Sequence, residues 1–170
     1  MLKEKISKLL VAQVNKEFFS AYLYLSFANF YEEAGLDGFA NWYRIQAMEE
    51  RDHAIMFMDY VHDNDGTIQF EAIGKPDSKL KNLIDPLKAA LQHEKYITAS
   101  INAIYDEAAQ SKDYRTMQFL DWFVMEQREE EKTASDLVTK FELFGSDAKN
   151  LYSLNEELKT RVYTAPANNN

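Results

Sequence analysis

The chain has no cysteine among its 170 residues. Disulfide scaffolds, thiolate metal sites and cysteine nucleophiles are therefore excluded. Five glycines and three prolines are too few for an all-β fold with a turn every ten residues or so. No apolar run approaches the ~18 residues needed to cross a membrane. The mixed-charge start, Leu2 to Lys5, leads into no signal-peptide core, which predicts a cytoplasmic protein. No basic face or tail is present, and 19 Lys and Arg stand against 28 Asp and Glu, a net charge of −9. Nucleic acid and membrane are thus not expected partners, whereas cations are.

What remains is helical. Apolar residues recur at helical spacing in four long segments, each of about 25 residues or more. Their faces read Ile6, Leu10, Tyr24, Phe27, Tyr31; then Tyr43, Ala47, Ala54, Phe57, Val61; then Leu87, Ala90, Leu91, Ile97, Ile101, Tyr105; then Leu120, Phe123, Val124, Ala134, Val138, Phe141. Asp85 followed by Pro86 reads as a capping residue with a first-turn proline. Residues 35–38 and 111–113 read as tight turns. The stretch from Asp65 to about Ile84 is long for antiparallel neighbours and predicts a crossover running the length of the bundle. Within it, residues 67–73 alternate like a short strand, and residues 63–66 read as a helix end and turn, not a calcium loop. The expected architecture is all-α: a four-helix bundle with a long crossover and a short fifth helix, spanning residues 1–163, before a disordered polar tail at 164–170. Leu151, Leu154, Leu158 and Val162 line that fifth helix. One short bundle edge does not offer them enough cover, so the helix is expected to pack at a symmetry axis of a closed shell.

The informative residues are acids on apolar stripes. Glu17 lies seven residues from both Leu10 and Tyr24. Glu50 stands likewise between Tyr43 and Phe57, Glu94 between Leu87 and Ile101, and Gln127 between Leu120 and Ala134. His53 and Glu130 follow one turn after Glu50 and Gln127. Buried carboxylates are costly unless paired or metal-bound, and no Lys or Arg stands beside these on the stripes. Oxygen donors with a single imidazole suit iron or manganese. The pairs 17 and 94, 49 and 126, 50 and 127, and 53 and 130 are each 77 residues apart, as an internal duplication would leave them. Glu17 and His53 lie 18 residues either side of Gly35, and Glu94 and Glu130 lie 18 either side of Lys112, so the members of each pair stand at equal height. If the two hairpin turns lie at the same end, all levels match at once. If they lie at opposite ends, the site must be midway.

At these intervals, Glu17, Glu50 with His53, Glu94, and the run Glu126, Gln127, Glu129, Glu130 resemble a bacterial non-haem ferritin over residues 1 to about 162. The ferritin-like di-iron proteins carry a Glu-x-x-His pair on each of two helices. This chain departs from that pattern with Gln127 and Glu130 on the fourth, as ferritins do. The resemblance implies oxidation of Fe(II) by dioxygen or hydrogen peroxide and storage of ferric mineral in a hollow 24-subunit homo-oligomer. It implies that Glu17, Glu50 and His53 hold a first iron and that Glu50 bridges to a second on Glu94 and, more loosely, Glu130. Gln127 would orient bound oxygen or water. Glu49, Glu126, Glu129 and Glu130 resemble the acids of a third iron site. Tyr24 resembles the tyrosine that lends an electron, and Trp122 a neighbouring aromatic. For both aromatics core packing is the competing reading, and for Glu129 and Glu131 it is a solvated acidic run. Asp52 stands where a bacterioferritin would carry a haem-ligating Met, so haem is not expected. A DNA-protecting mini-ferritin would place its site between subunits. A non-storage di-iron oxidase, or a structural helical assembly protein holding zinc or nothing, are the alternatives.

Overall fold

The structure is a computed structural model, and it describes residues 2–76 and 79–166. Among these, five helices and no strands are found: α1 (Glu4–Glu33), α2 (Asp37–Asp63), α3 (Asp85–Ser111), α4 (Tyr114–Phe144) and α5 (Ala148–Lys159). None is long and apolar enough to cross a membrane. At about 1.5 Å per residue, the 30 residues of α1 span roughly 45 Å.

The hairpin turns lie at opposite ends. Lys3 and Lys5, at the start of α1, reach Ser111 and Glu107 at the end of α3, while Tyr31 near the end of α1 donates to the Leu83 carbonyl just before α3. So α1 and α3 are antiparallel, α2 and α3 run the same way, and the connection over 64–84 has to travel the length of the bundle. The first turn is closed by Gly35 at φ +75°, the second by Lys112 at φ 55°, both left-handed. Residues 63–66 form the expected helix end: Asp65 has φ 58° and the Gly66 N–H donates to the Val61 carbonyl.

Three local expectations are corrected. Residues 67–73 form no strand, because no second strand lies alongside to complete a ladder; Phe70 and Ile73 remain exposed. Asp85 does not cap α3. Its carboxylate instead accepts the backbone N–H groups of Lys81 and Asn82, fixing the approach to the helix. Val124 is 41% exposed: the buried line on α4 runs Leu120, Phe123, Gln127, Glu130, Leu137, and Val124 is turned about 100° away from Phe123.

The fifth helix also differs from expectation. Leu154 and Leu158 are buried within their own subunit, against the end where α1 meets α2. Leu154 and Leu158 therefore find their cover within the chain, Leu151 is only partly buried, and Val162 lies beyond the helix, exposed. Asn155 explains the docking. Its Oδ1 accepts the N–H of Gly38 (2.8 Å) and Phe39 (3.3 Å), and its Nδ2 donates to Asp37, so α5 satisfies the free donors at the start of α2. Gly38 is part of α2, not of the turn, and it is glycine for space: a Cβ there would lie 1.8 Å from the Asn155 carbonyl oxygen. Of the tail, residues 164–166 have no regular structure, and residues 167–170 lie outside the described residues.

The core is divided. One half is rich in aromatics: Tyr24, Phe27, Tyr31, Phe39 and Tyr43 with Leu87, Leu137, Leu154 and Leu158. The other is mainly aliphatic: Ile6, Leu10, Val14, Val61, Ile97, Ile101 and Ile104 with Phe57 and Phe123. Between the halves, at mid-height, lies a belt of buried polar residues.

Candidate metal centre

With the turns at opposite ends, the heights of Glu17, Glu50, Glu94 and Glu130 coincide only at mid-bundle, which is where the polar belt lies. Glu17, Glu50, His53, Glu94, Gln127 and Glu130 are all buried, at 1–8% exposure. Glu17, Glu50 and His53 each offer one ligand atom within 4.8 Å of the others. His53 Nδ1 lies 3.3 Å from Glu50 Oε2. Glu94 joins from α3, accepting a hydrogen bond from the Tyr24 hydroxyl on one oxygen and from Gln127 Nε2 (3.1 Å) on the other. Glu130 accepts from Gln46 Nε2 at 2.9 Å.

Several of these partners went unnoticed in the sequence. Gln46 stands four residues before Glu50, and Gln13 four before Glu17, where a helix puts them on the same face. Gln13 Nε2 donates to Glu17 Oε1 at 2.7 Å, and its own oxygen accepts from Ser100. Glu17 Oε2 is then left buried with no hydrogen-bond partner among the described residues, as is Gln46 Oε1. The spacing that exposed the acids would have exposed both amides. His93 and Ser20, paired at 2.7 Å beside Tyr24, had no such signal.

The electrostatics follow from crowding. Burial pushes the Glu50 carboxyl well above the usual range, and Glu94 and Glu17 push it further. Glu130 is raised well above its ordinary value by burial, then by Glu94 and Glu50. Burial also raises Glu17, against the opposing pull of His53 and Gln13, and raises Glu94 against the hydrogen bonds from Tyr24 and Gln127. Tyr24 is held firmly protonated by burial and by the acids around it. An oxygen-rich, crowded set with an unpartnered carboxylate oxygen is the donor chemistry of a hard or borderline divalent cation.

Around this centre the packing is aromatic. Trp122 and Phe123 meet the His53 ring edge-on at 5.4 and 5.7 Å. The acids just off the stripe, Glu49 and Glu126, are half-buried. Burial raises Glu49, which also feels Arg161, His53 and Glu126; burial raises Glu126, which feels His53, Glu129 and Arg161. Glu49 and Glu126 each feel the charges of His53 and Arg161, and Glu129 is exposed. A cation does reach this group, from outside the stripes: Arg161 Nη2 donates to Glu49 Oε2 at 2.6 Å.

Comparison with known proteins is consistent with this geometry. A family model described as a ferritin-like domain matches residues 7–144. The chain belongs to the ferritin family. It is 36% identical to the bacterial non-heme ferritin of Campylobacter jejuni over 159 residues, which is 94% of this chain and 95% of that one. It is 34% identical to the bacterial non-heme ferritin of Staphylococcus haemolyticus, over 96% of this chain and 98% of the relative. Among solved structures, an engineered closed form of the Archaeoglobus fulgidus ferritin superposes with a TM-score of 0.94 at 39% identity, covering 96% of this chain and 100% of the other. The open-pore ferritin of the same archaeon gives 0.93 at 38%, covering 95% and 100%. Within the ferritin fold, this chain's buried acids and His53 occupy the middle of a single four-helix bundle.

Proposed function

We propose that the chain is an iron-storage ferritin subunit. It oxidises Fe(II) with dioxygen or hydrogen peroxide at the mid-bundle centre and contributes to a hollow 24-subunit shell that stores the ferric product. Residues 1–163 form the functional unit, a cytoplasmic one in this reading, with 164–170 as its polar tail. The observation that carries the proposal is the buried cluster of Glu17, Glu50 and His53, with Glu17 Oε2 unpartnered and two further buried acids close by: beyond burial, Glu94 raises the Glu50 carboxyl, and Glu94 and Glu50 raise that of Glu130. Four ionised carboxylates repel one another in a buried site, and two divalent cations would neutralise their four charges.

Fe(II) is the substrate here. Glu17, Glu50 and His53 hold the first ion, Glu50 bridges to the second, and Glu94 and Glu130 hold that second ion. Gln127 and Tyr24 fix the two Glu94 oxygens, and Tyr24 is the side chain placed to lend an electron. Each Fe(II) gives up one electron; dioxygen takes two electrons and two protons to become hydrogen peroxide, or peroxide takes two of each to become two waters. Carboxylates favour Fe³⁺ over Fe²⁺, which drives the oxidation. Glu49, Glu126 and Glu129, with Glu130 shared, form an outer site that accepts iron on its way to the shell interior. Asp52 stands where a bacterioferritin would carry a Met, so this reading includes no haem.

The test is aerobic iron addition followed by ferric absorbance. Glu50→Ala should slow the fast phase by orders of magnitude, and His53→Ala should weaken the first iron more than the second. Both variants should still elute as twenty-four chains of 19.8 kDa, about 475 kDa. Unchanged initial rates under excess oxygen in both variants would place oxidation elsewhere, and a stable monomer or dimer at micromolar concentration would end the shell reading.

A further inference from the structure

Arg161 comes from the segment that follows α5, 112 residues from Glu49 in the chain. That segment is laid along α2. Asn41 Nδ2 donates to the Arg161 carbonyl at 3.1 Å, and the Tyr163 hydroxyl donates to the Asp52 carboxylate. The α5 anchor at Gly38 and Asn155 sets where this strap begins. The guanidinium itself is tightly held. Its Cζ lies 4.0 Å from the Trp42 ring centroid, and Nη2 lies 2.6 Å from Glu49 Oε2. The two side chains are 20% and 18% exposed, and no other Lys or Arg paired with a carboxylate among the described residues has both partners so covered. The bond therefore has a fixed geometry and reduced exposure to salt and water.

We propose that Arg161 is a built-in competitor for the outer site: it holds Glu49 Oε2 and neutralises that carboxylate, and it must swing off Glu49 before the outer acids can close on a metal ion through both Glu49 oxygens. This rests on the reading of Glu49, Glu126 and Glu129 as an outer iron site. Oε2 cannot serve both partners at 2.6 Å, and while Arg161 holds it the carboxylate offers a metal ion only Oε1, with its charge already offset by the guanidinium. The consequence is a weak outer site, one that iron crosses without lodging. A partly covered ion pair that has to be broken lowers the apparent affinity by about three- to tenfold. Trp42 reports the displacement, because its ring loses the stacked guanidinium.

The experiment uses the assembled, metal-free protein and Zn²⁺, which is redox-silent. Calorimetric titration counts and ranks the ions bound per subunit; Trp42 emission is read in a Trp122→Phe background, which leaves one tryptophan of the two. Arg161→Gln should tighten the weakest metal equivalent about three- to tenfold and leave the tighter two unchanged. Trp42 emission should change at that weakest equivalent when Arg161 is present and stay flat in Arg161→Gln. Tyr163→Phe, which loosens the strap but keeps the charge, should shift affinity the same way by a smaller factor and serves if Arg161→Gln does not assemble. Equal or weaker binding of the last equivalent in these variants overturns the proposal and leaves Arg161 as a structural strap. Glu49→Gln separates the two levels: it should abolish the weakest equivalent, and if that equivalent survives, the outer-site reading itself falls and takes the proposal with it.

Discussion

Glu17→Gln isolates the strain in the metal-free centre. In the wild type, Glu17 Oε1 accepts from Gln13 while Oε2 is buried without a partner. A glutamine keeps the first bond and replaces the orphan oxygen with an N–H₂ group that can donate to Glu50. The ligand atoms of Glu17 and Glu50 lie within 4.8 Å of each other. With an effective dielectric constant of about 20, two full charges at that distance repel by about 3.5 kcal/mol. The wild type avoids part of this by retaining a proton, so the expected gain is about 1–3 kcal/mol at pH 8, or very roughly 3–10 °C in melting temperature. The sign in pH is fixed by the raised Glu17 value. Above about pH 4.5 the native state binds more protons than the unfolded chain, so wild-type stability falls as pH rises through and beyond that point. Glutamine carries no such dependence. The gap between variant and wild type should open upward from about pH 4.5 and close below it. Calorimetry or fluorescence melting of both proteins, stripped of metal and compared at equal concentration, reads it directly. A variant that melts lower at pH 8, or a gap that narrows as pH rises, would show that Glu17 is a satisfied structural group.

His93 predicts the opposite pH trend. Burial pushes it down to about 4, so its contribution to stability is full above about 6.5 and is lost as pH falls toward 4, an effect of roughly 3 kcal/mol that His93→Gln should flatten in acid melts. Gly38→Ala forces α5 away from α2, since the new methyl would sit 1.8 Å from the Asn155 oxygen. It should cost about 1–3 kcal/mol, seen as a lower melting temperature; an unchanged melt would show that α5 docks more loosely than its hydrogen bonds indicate.

The acids were legible because they break a strong pattern. A carboxylate seven residues from apolar partners in both directions can only face the core, and residues 77 apart repeat the arrangement on the second hairpin. Those observations rest on local period, which the helical backbone enforces. Opposite turn ends were one of two options until the Lys3 and Tyr31 contacts settled them. The strand over 67–73 misled because alternation describes a face, and a face becomes a strand only when a partner supplies the ladder. Asp85 misled for a related reason: its carboxylate had two sets of backbone donors in reach, and the preceding turn took it. Gln13 and Gln46 were readable from spacing four but look like ordinary polar residues until the acid they serve is seen. Arg161 was not readable at all. Its partner is 112 residues away, and only the docking of α5 through Asn155 carries the strap to Glu49.

In the proposed function two irons bind inside one bundle, on Glu17, Glu50, His53, Glu94 and Glu130. Anomalous diffraction at the iron edge, from crystals soaked in Fe(II) without air, tests it most directly. Two iron peaks per subunit are expected at mid-bundle, joined through Glu50, with a weaker third beside Glu49, Glu126 and Glu129 at high iron. Iron bound only at the subunit surface or between subunits, with the mid-bundle acids empty at saturating iron, would contradict it.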